Sequence, residues 1–285
     1  MSRMSHRRRR DAAGFGLIEL MIAMVLGLIV IGAAFAVFMS NQSTFRANEG
    51  LARIQEGVRV AFELMSRDIR AAGGSACSNV SVVETTDADS LRFRDTPITG
   101  NANELTVTSG DDMAYRVVAS TSSSVTLDPD QVDDAREVFE EDDLLLLCNA
   151  RKTFLVTATG VTADTISHTP LPDGYVPTSD EYAPPDAVML ARFRSVRWFV
   201  ADNGRGGSSL YVSRLGGTPE EVVEGVQNIT FSYLRDGANQ YVAAPGSWND
   251  VVAVRIDMTL TGDDIDGQAL TRTASNVVSL RGRTL

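Results

Sequence analysis

Gly14-Phe15-Gly16-Leu17-Ile18-Glu19-Leu20-Met21-Ile22-Ala23-Met24-Val25-Leu26 opens an apolar run that continues unbroken to Met39. From Phe15 to Met39 there are 25 residues, and Glu19 is the one charged side chain among them. At about 1.5 Å rise per residue, a helix of that length crosses the roughly 30 Å hydrocarbon core of a bilayer with residues to spare. The run holds no proline, so a transmembrane helix over 15–39 is the economical reading. Glu19 is then the anomaly. A carboxylate within a span costs about 2.5–3.5 kcal/mol on insertion scales, and such groups are kept for a function and with a partner. Arg7-Arg8-Arg9-Arg10 precede the run, which by the positive-inside rule leaves residues 1–14 in the cytoplasm as a basic leader. An ordinary signal anchor shares this layout. A secretory peptide would have a shorter run and a small-x-small site at its far end, and a twin-arginine signal a less apolar one.

Beyond Met39 the helical pattern changes character. Phe45, Leu51, Ile54, Val58, Ala61, Phe62, Met65 and Ile69 recur at spacings of three and four. Arg46, Glu49, Arg53, Glu56, Arg59, Glu63, Arg67, Asp68 and Arg70 fill the positions between. This predicts an amphipathic continuation over 40–73 with one core-facing stripe. Glu49–Arg53, Glu56–Arg59 and Glu63–Arg67 are spaced for ion pairs along the helix. Gly73-Gly74 supplies the stop. No proline occurs before Pro97, so 15–72 can form one rod about 85 Å long, with Gly27, Gly32, Gly50 and Gly57 as soft points. Two helices broken near 40–44 are the alternative.

From Ser75 the period becomes two. Residues 91–93, 104–108, 114–118, 124–127, 153–158, 187–200, 208–214, 227–235, 250–261 and 270–280 read as strands. Trp198-Phe199-Val200 and Leu210-Tyr211-Val212 flank the turn-rich 201–207, a hairpin signal. Short turns without helical patterns between them favour antiparallel sheets, so the fold class is α+β, with a β-rich domain over 75–285. Pro170, Pro172, Pro177, Pro184 and Pro185 mark an irregular loop that could separate it into two lobes. Cys77 and Cys148 lie outside the span, where an even pair forms a disulfide closing a loop of about 70 residues. Two buried thiols are the other reading.

The leader arginines, Gly14, Phe15 and Leu17-Ile18-Glu19-Leu20-Met21-Ile22 together resemble the processing signal of type IV pilins and type II secretion pseudopilins. Gly16 departs from the threonine or serine usual there. The resemblance implies cleavage after Gly14 by prepilin peptidase, N-methylation of Phe15, and an assembly role for Glu19. It implies a pilin-like fold, a long helix packed on a β-rich domain. Residues 51–56 and 63–73, with 223–229 and 248–256, are similar to the PilW family of minor pilins. That narrower likeness implies a structural subunit of a tip or priming complex that starts pilus assembly. Its partners would be other minor pilins and the major pilin, met through the N-terminal helix, and the inner-membrane assembly platform. Location would be the bacterial inner membrane, then the pilus tip. A J-like type II secretion pseudopilin shares leader and architecture, and a tip adhesin could use the unmatched middle region.

Composition limits other functions. Without residues 1–14 the chain keeps 21 basic and 36 acidic side chains, a net of −15, which argues against a nucleic-acid groove. His168 is the one histidine after the leader and Lys152 the one lysine, so histidine triads are unsupported and Ser/Thr–Lys chemistry would rest on Lys152. Neither phosphate-loop nor dinucleotide motifs occur. His168 reads as a surface or turn residue, and no enzyme activity or cofactor is expected. Nine carboxylates in Asp128–Asp143 could take calcium or a basic partner, as could the oxygen-rich turn 262–267, but the spacing is not that of an EF-hand. A solvated loop and a plain turn are the simpler readings. Trp198 and Trp248 read as packing residues.

Overall fold

The structure is a computed structural model that describes residues 16–77, 82–83, 88–181, 187–265 and 268–281. In chain order its elements are α1 (Leu17–Ala71), β1 (Val82–Val83), α2 (Ala88–Asp95), β2 (Ile98–Gly100), β3 (Glu104–Ser120), β4 (Ser124–Leu127), β5 (Leu144–Cys148), β6 (Lys152–Val161), β7 (Thr165–His168), β8 (Met189–Asp202), β9 (Ser208–Arg214), β10 (Glu220–Glu224), β11 (Val226–Arg235), β12 (Val251–Ile265) and β13 (Gln268–Ser279). It is a long apolar-headed helix followed by an antiparallel β-rich domain, with one parallel pairing, β1 to β6.

α1 is unbroken for 55 residues, about 80 Å of rise, and does not divide near 40–44. Thr44 there bonds its hydroxyl back to the Ser40 carbonyl at 3.0 Å, keeping its side chain within the helix. The stop comes where the glycines predict it. Gly73 takes φ +70, Ala72 N–H returns to the Ile69 carbonyl, and Gly73 N–H crosses to the Thr108 carbonyl of β3. Burial begins only at Gly50 and runs through Ile54, Ala61, Met65, Ser66, Asp68 and Ile69. Phe45, expected in the stripe, is 70% exposed, because the β domain ends below that turn. Gly57 serves close packing, since a Cβ there would stand 2.8 Å from Val223 Cγ1, whereas one at Gly50 would meet Leu270 Cδ2 at an ordinary 3.9 Å.

Two apolar cores share two long strands. The first joins α1 to the inner faces of β3, β8 and β9 and to the meander β11–β12–β13. The second fills a closed ring, β3–β4–β7–β6–β5–β8, in which β8 closes back on β3. Leu145, Leu147, Phe154, Val156 and Ile166 point into it. The first halves of β3 and last half of β8 serve one core, and their other halves the second. The segment after Pro170 links β7 to β8 of the same ring; Pro184 and Pro185 lie outside the described residues.

Three local expectations change. Residues 91–93 lie within α2 and not in a strand. Ser90 and Phe93, three apart, are both buried, and Phe93 meets Phe193 edge-on at 6.1 Å. β5 was hidden in an unbroken leucine run because both its faces are covered, Leu145 and Leu147 by the ring core and Leu146 by the Phe93 cluster. The 128–143 segment is only partly a solvated loop: Val132, Ala135 and Phe139 join the ring core. The hairpin at 203–207 forms as expected, with Asp202 opposite Ser208.

Candidate functional site

The apolar half of α1 is bare. None of its most apolar 18-residue window is buried by the described residues, and Leu17, Ile18, Met24, Leu28, Val30 and Phe35 are each at least 65% exposed. So large an apolar surface is unstable in water and fits lipid or other apolar helices. Gly16 caps the helix with an extended backbone, its carbonyl accepting from Leu20 N–H at 3.2 Å and Glu19 N–H at 3.1 Å. Glu19 therefore sits in the first turn, where unpaired N–H groups and the helix dipole favour a negative charge. Gly14 and Phe15, the expected cleavage and methylation positions, lie outside the described residues.

In its last two turns α1 is held against the β domain by a polar clamp that pattern reading missed. Asp68 is buried, with Arg194 Nη2 at 2.9 Å from Oδ1 and Trp198 Nε1 donating to Oδ2 at 2.9 Å. Burial raises its carboxyl above the usual range, outweighing the opposing pull of Arg194 and Trp198. The signal was there to find: Asp68 falls on the helical face of Ile54, Ala61 and Met65, so it is a charge within the stripe. Ser66 accepts from Asn276 Nδ2 at 3.1 Å. On the outer face Glu49–Arg53 and Glu56–Arg59 pair as expected, at 3.1 and 3.2 Å. Arg67, expected to pair with Glu63, reaches Asp112 in the β3 bulge instead.

Cys77 and Cys148 are joined, Cα to Cα 5.9 Å, which ties the segment after α1 to the end of β5. Beside that end, Asn149 Nδ2 donates to the Tyr175 hydroxyl at 2.7 Å, and Tyr175 donates to Asp180 at 2.5 Å. Burial and Asp180 push the phenol well above its ordinary value. His168 is not at the surface. It is 2% exposed on β7, with Nδ1 2.8 Å from the Thr169 carbonyl and no partner for Nε2 among the described residues. Burial lowers its pKa. In the acidic stretch, Asp128 accepts from Asp130 N–H and from Arg116, which hold its carboxyl low. Arg136 holds Asp134 down to about 2. Among the described residues no three His, Cys, Asp or Glu side chains converge as metal ligands. The side chains of 263–267 lie outside the described ones.

Residues 9–35 match the family model described as the prokaryotic N-terminal methylation motif. No curated protein matches the chain. The solved structure of a type IV-like pilin from Thermus thermophilus aligns with 82% of this chain and 98% of its own at 9% identity, with a TM-score of 0.35.

Proposed function

We propose that this chain is a minor pilin of a type IV pilus, of the PilW kind, acting as a structural subunit and not as a catalyst. In this reading prepilin peptidase cuts after Gly14 and methylates Phe15, and the bare helix waits in the inner membrane with the β domain in the periplasm. Assembly then packs that helix against those of other pilins in a tip or priming complex. The observation that carries the reading is Glu19, the one carboxylate of the apolar run, placed in the first turn of a helix whose apolar half none of the described residues covers. Cleavage would free a cationic amine on Phe15, one turn away. That amine, or a neighbour's, can neutralise the carboxylate where attraction is little screened, and so set axial register between subunits.

Glu19→Ala tests this. Leader cleavage should continue, while recovery of the chain in sheared pili falls at least about tenfold, the equivalent of one lost charge pairing of roughly 1.4 kcal/mol. Undiminished recovery would overturn the assembly role. Loss of exoprotein secretion with pili intact would move the chain to the type II secretion pseudopilins.

A further inference from the structure

The segment that follows β7, residues 169–181, crosses one end of the six-stranded ring. Leu171 gives its N–H to the Ser122 carbonyl in the β3–β4 turn and buries its side chain in the ring core. Tyr175 packs on Phe154 of β6 at 5.1 Å and accepts from Asn149, just beyond β5. Thr178 N–H reaches Ser120 Oγ, at the end of β3, at 3.1 Å, and Pro177 is buried. The segment is a strap over the turns of that end. At its root stands His168, the last residue of β7.

The His168 ring lies on the face of β7 that Ile166 turns into the ring core, opposite the buried Ala158 of β6. The Thr169 carbonyl can only accept, so Nδ1, 2.8 Å from it, carries the hydrogen and Nε2 is a bare lone pair. Among the described residues nothing donates to that lone pair, and a proton there would have no acceptor. The charged groups of the surrounding elements are engaged elsewhere. Arg116 of β3 holds Asp128, and Arg192 and Arg194 of β8 hold Asp143 and Asp68. Lys152 of β6 sits over the Tyr175 ring, and Asp180 of the strap takes the Tyr175 hydroxyl. Tyr115 of β3 lies against Phe139, and β4 and β5 carry no charge. In 128–143 Arg136 pairs with Asp134, and the remaining carboxylates are exposed, as are Asp164 and Asp173. Only burial and the Thr169 carbonyl act on the ring's protonation.

We infer that the strap is an acid-released latch: a proton on His168 drives the ring out of the core and lifts 169–181 from that end, baring Leu171 and the Phe154–Tyr175 contact. The inference is independent of the pilin reading. Little else has to move. The bonds given up are His168 N–H to Ser123, Leu171 N–H to Ser122, and the two between Thr169 and Thr157. The β4–β7 ladder from Thr165 to Ser167 and the Val161–Ile166 pairing can stay. β5 and β6 remain paired to each other, with Cys148 tied to Cys77. Burial lowers the pKa of the closed ring, whereas a ring in water titrates near 6.5. Opening therefore takes up a proton below about pH 6.5, and the open fraction rises by up to about tenfold per pH unit until the closed ring itself protonates.

Amide hydrogen exchange of the full-length chain in detergent tests the latch, at pH 7.5 and 5.5 and corrected for the intrinsic pH dependence of exchange. Amides of 168–178 should exchange about three- to tenfold faster at pH 5.5, and those of β5 and β6 at an unchanged rate. His168→Leu should abolish the rise. Ser120→Cys with Thr178→Cys, whose hydroxyls stand 2.9 Å apart, pins the strap with a disulfide of its own, since the native cysteines are already bonded. That variant keeps His168 and should also suppress the rise, so it decides the matter should His168→Leu fail to fold. No acid-dependent rise in the wild type, an equal rise in either variant, or a rise that β5 and β6 share would overturn the latch.

Discussion

Asp68 and Glu19 are both carboxylates on one helix, and their surroundings give them opposite tasks. Glu19 faces outward in an apolar run, so composition alone exposes it. Asp68 is a charge on the apolar stripe of the helix, but only the fold shows what it meets there: Arg194 and Trp198, both on β8 and more than 120 residues away. Asp68→Ala leaves a half-buried guanidinium and a buried indole N–H without their carboxylate. It should cost about 3–5 kcal/mol in urea unfolding of the detergent-solubilised chain, and Asp68→Asn, which can still accept from Trp198, clearly less. His168 was misplaced for the same reason: burial is a property of the ring, not of the local pattern. Its pKa is lowered in the fold, so the folded state holds it neutral. Unfolding takes up a proton once pH falls below about 6.5, and stability present above that value declines by up to about 1.4 kcal/mol per pH unit. Melting of wild type against His168→Leu between pH 7.5 and 5 should show the wild type losing more.

At the scale of elements, periodicity and punctuation did well where one face of an element is covered. The continuous α1, its stop at Gly73-Gly74 and the 203–207 hairpin were all legible. β5 and α2 were not. β5 is apolar on both faces, which erases alternation, and α2 is too short to show a helical period. The junction between helix and domain makes two predictions. Cys77→Ser with Cys148→Ser opens a loop spanning 71 residues and should lower stability by about 4 kcal/mol, read from denaturant midpoints. Gly57→Val drives a side chain into Val223 and should cost about 1–3 kcal/mol, while Gly27→Val, with nothing within 4 Å, should leave the domain's midpoint unmoved.

Across the whole molecule, β3 and β8 each serve both cores, so neither core can lose its strands without opening the other. Leu210→Ala in the first and Leu147→Ala in the second should therefore shift one common transition, by about 2–5 kcal/mol each; two separable transitions would contradict the shared-strand account. The sequence alone determined what depends on neighbours along the chain: a membrane-length run with one carboxylate, an amphipathic continuation, and period-two segments separated by turns. Those are local signals, because hydropathy, helical spacing and turn chemistry act within a few residues. Tertiary structure alone decided the ring closure of β8 onto β3, the partners that clamp Asp68 and the burial of His168. Each depends on which distant strands meet, and pairing across a hundred residues leaves no period to read.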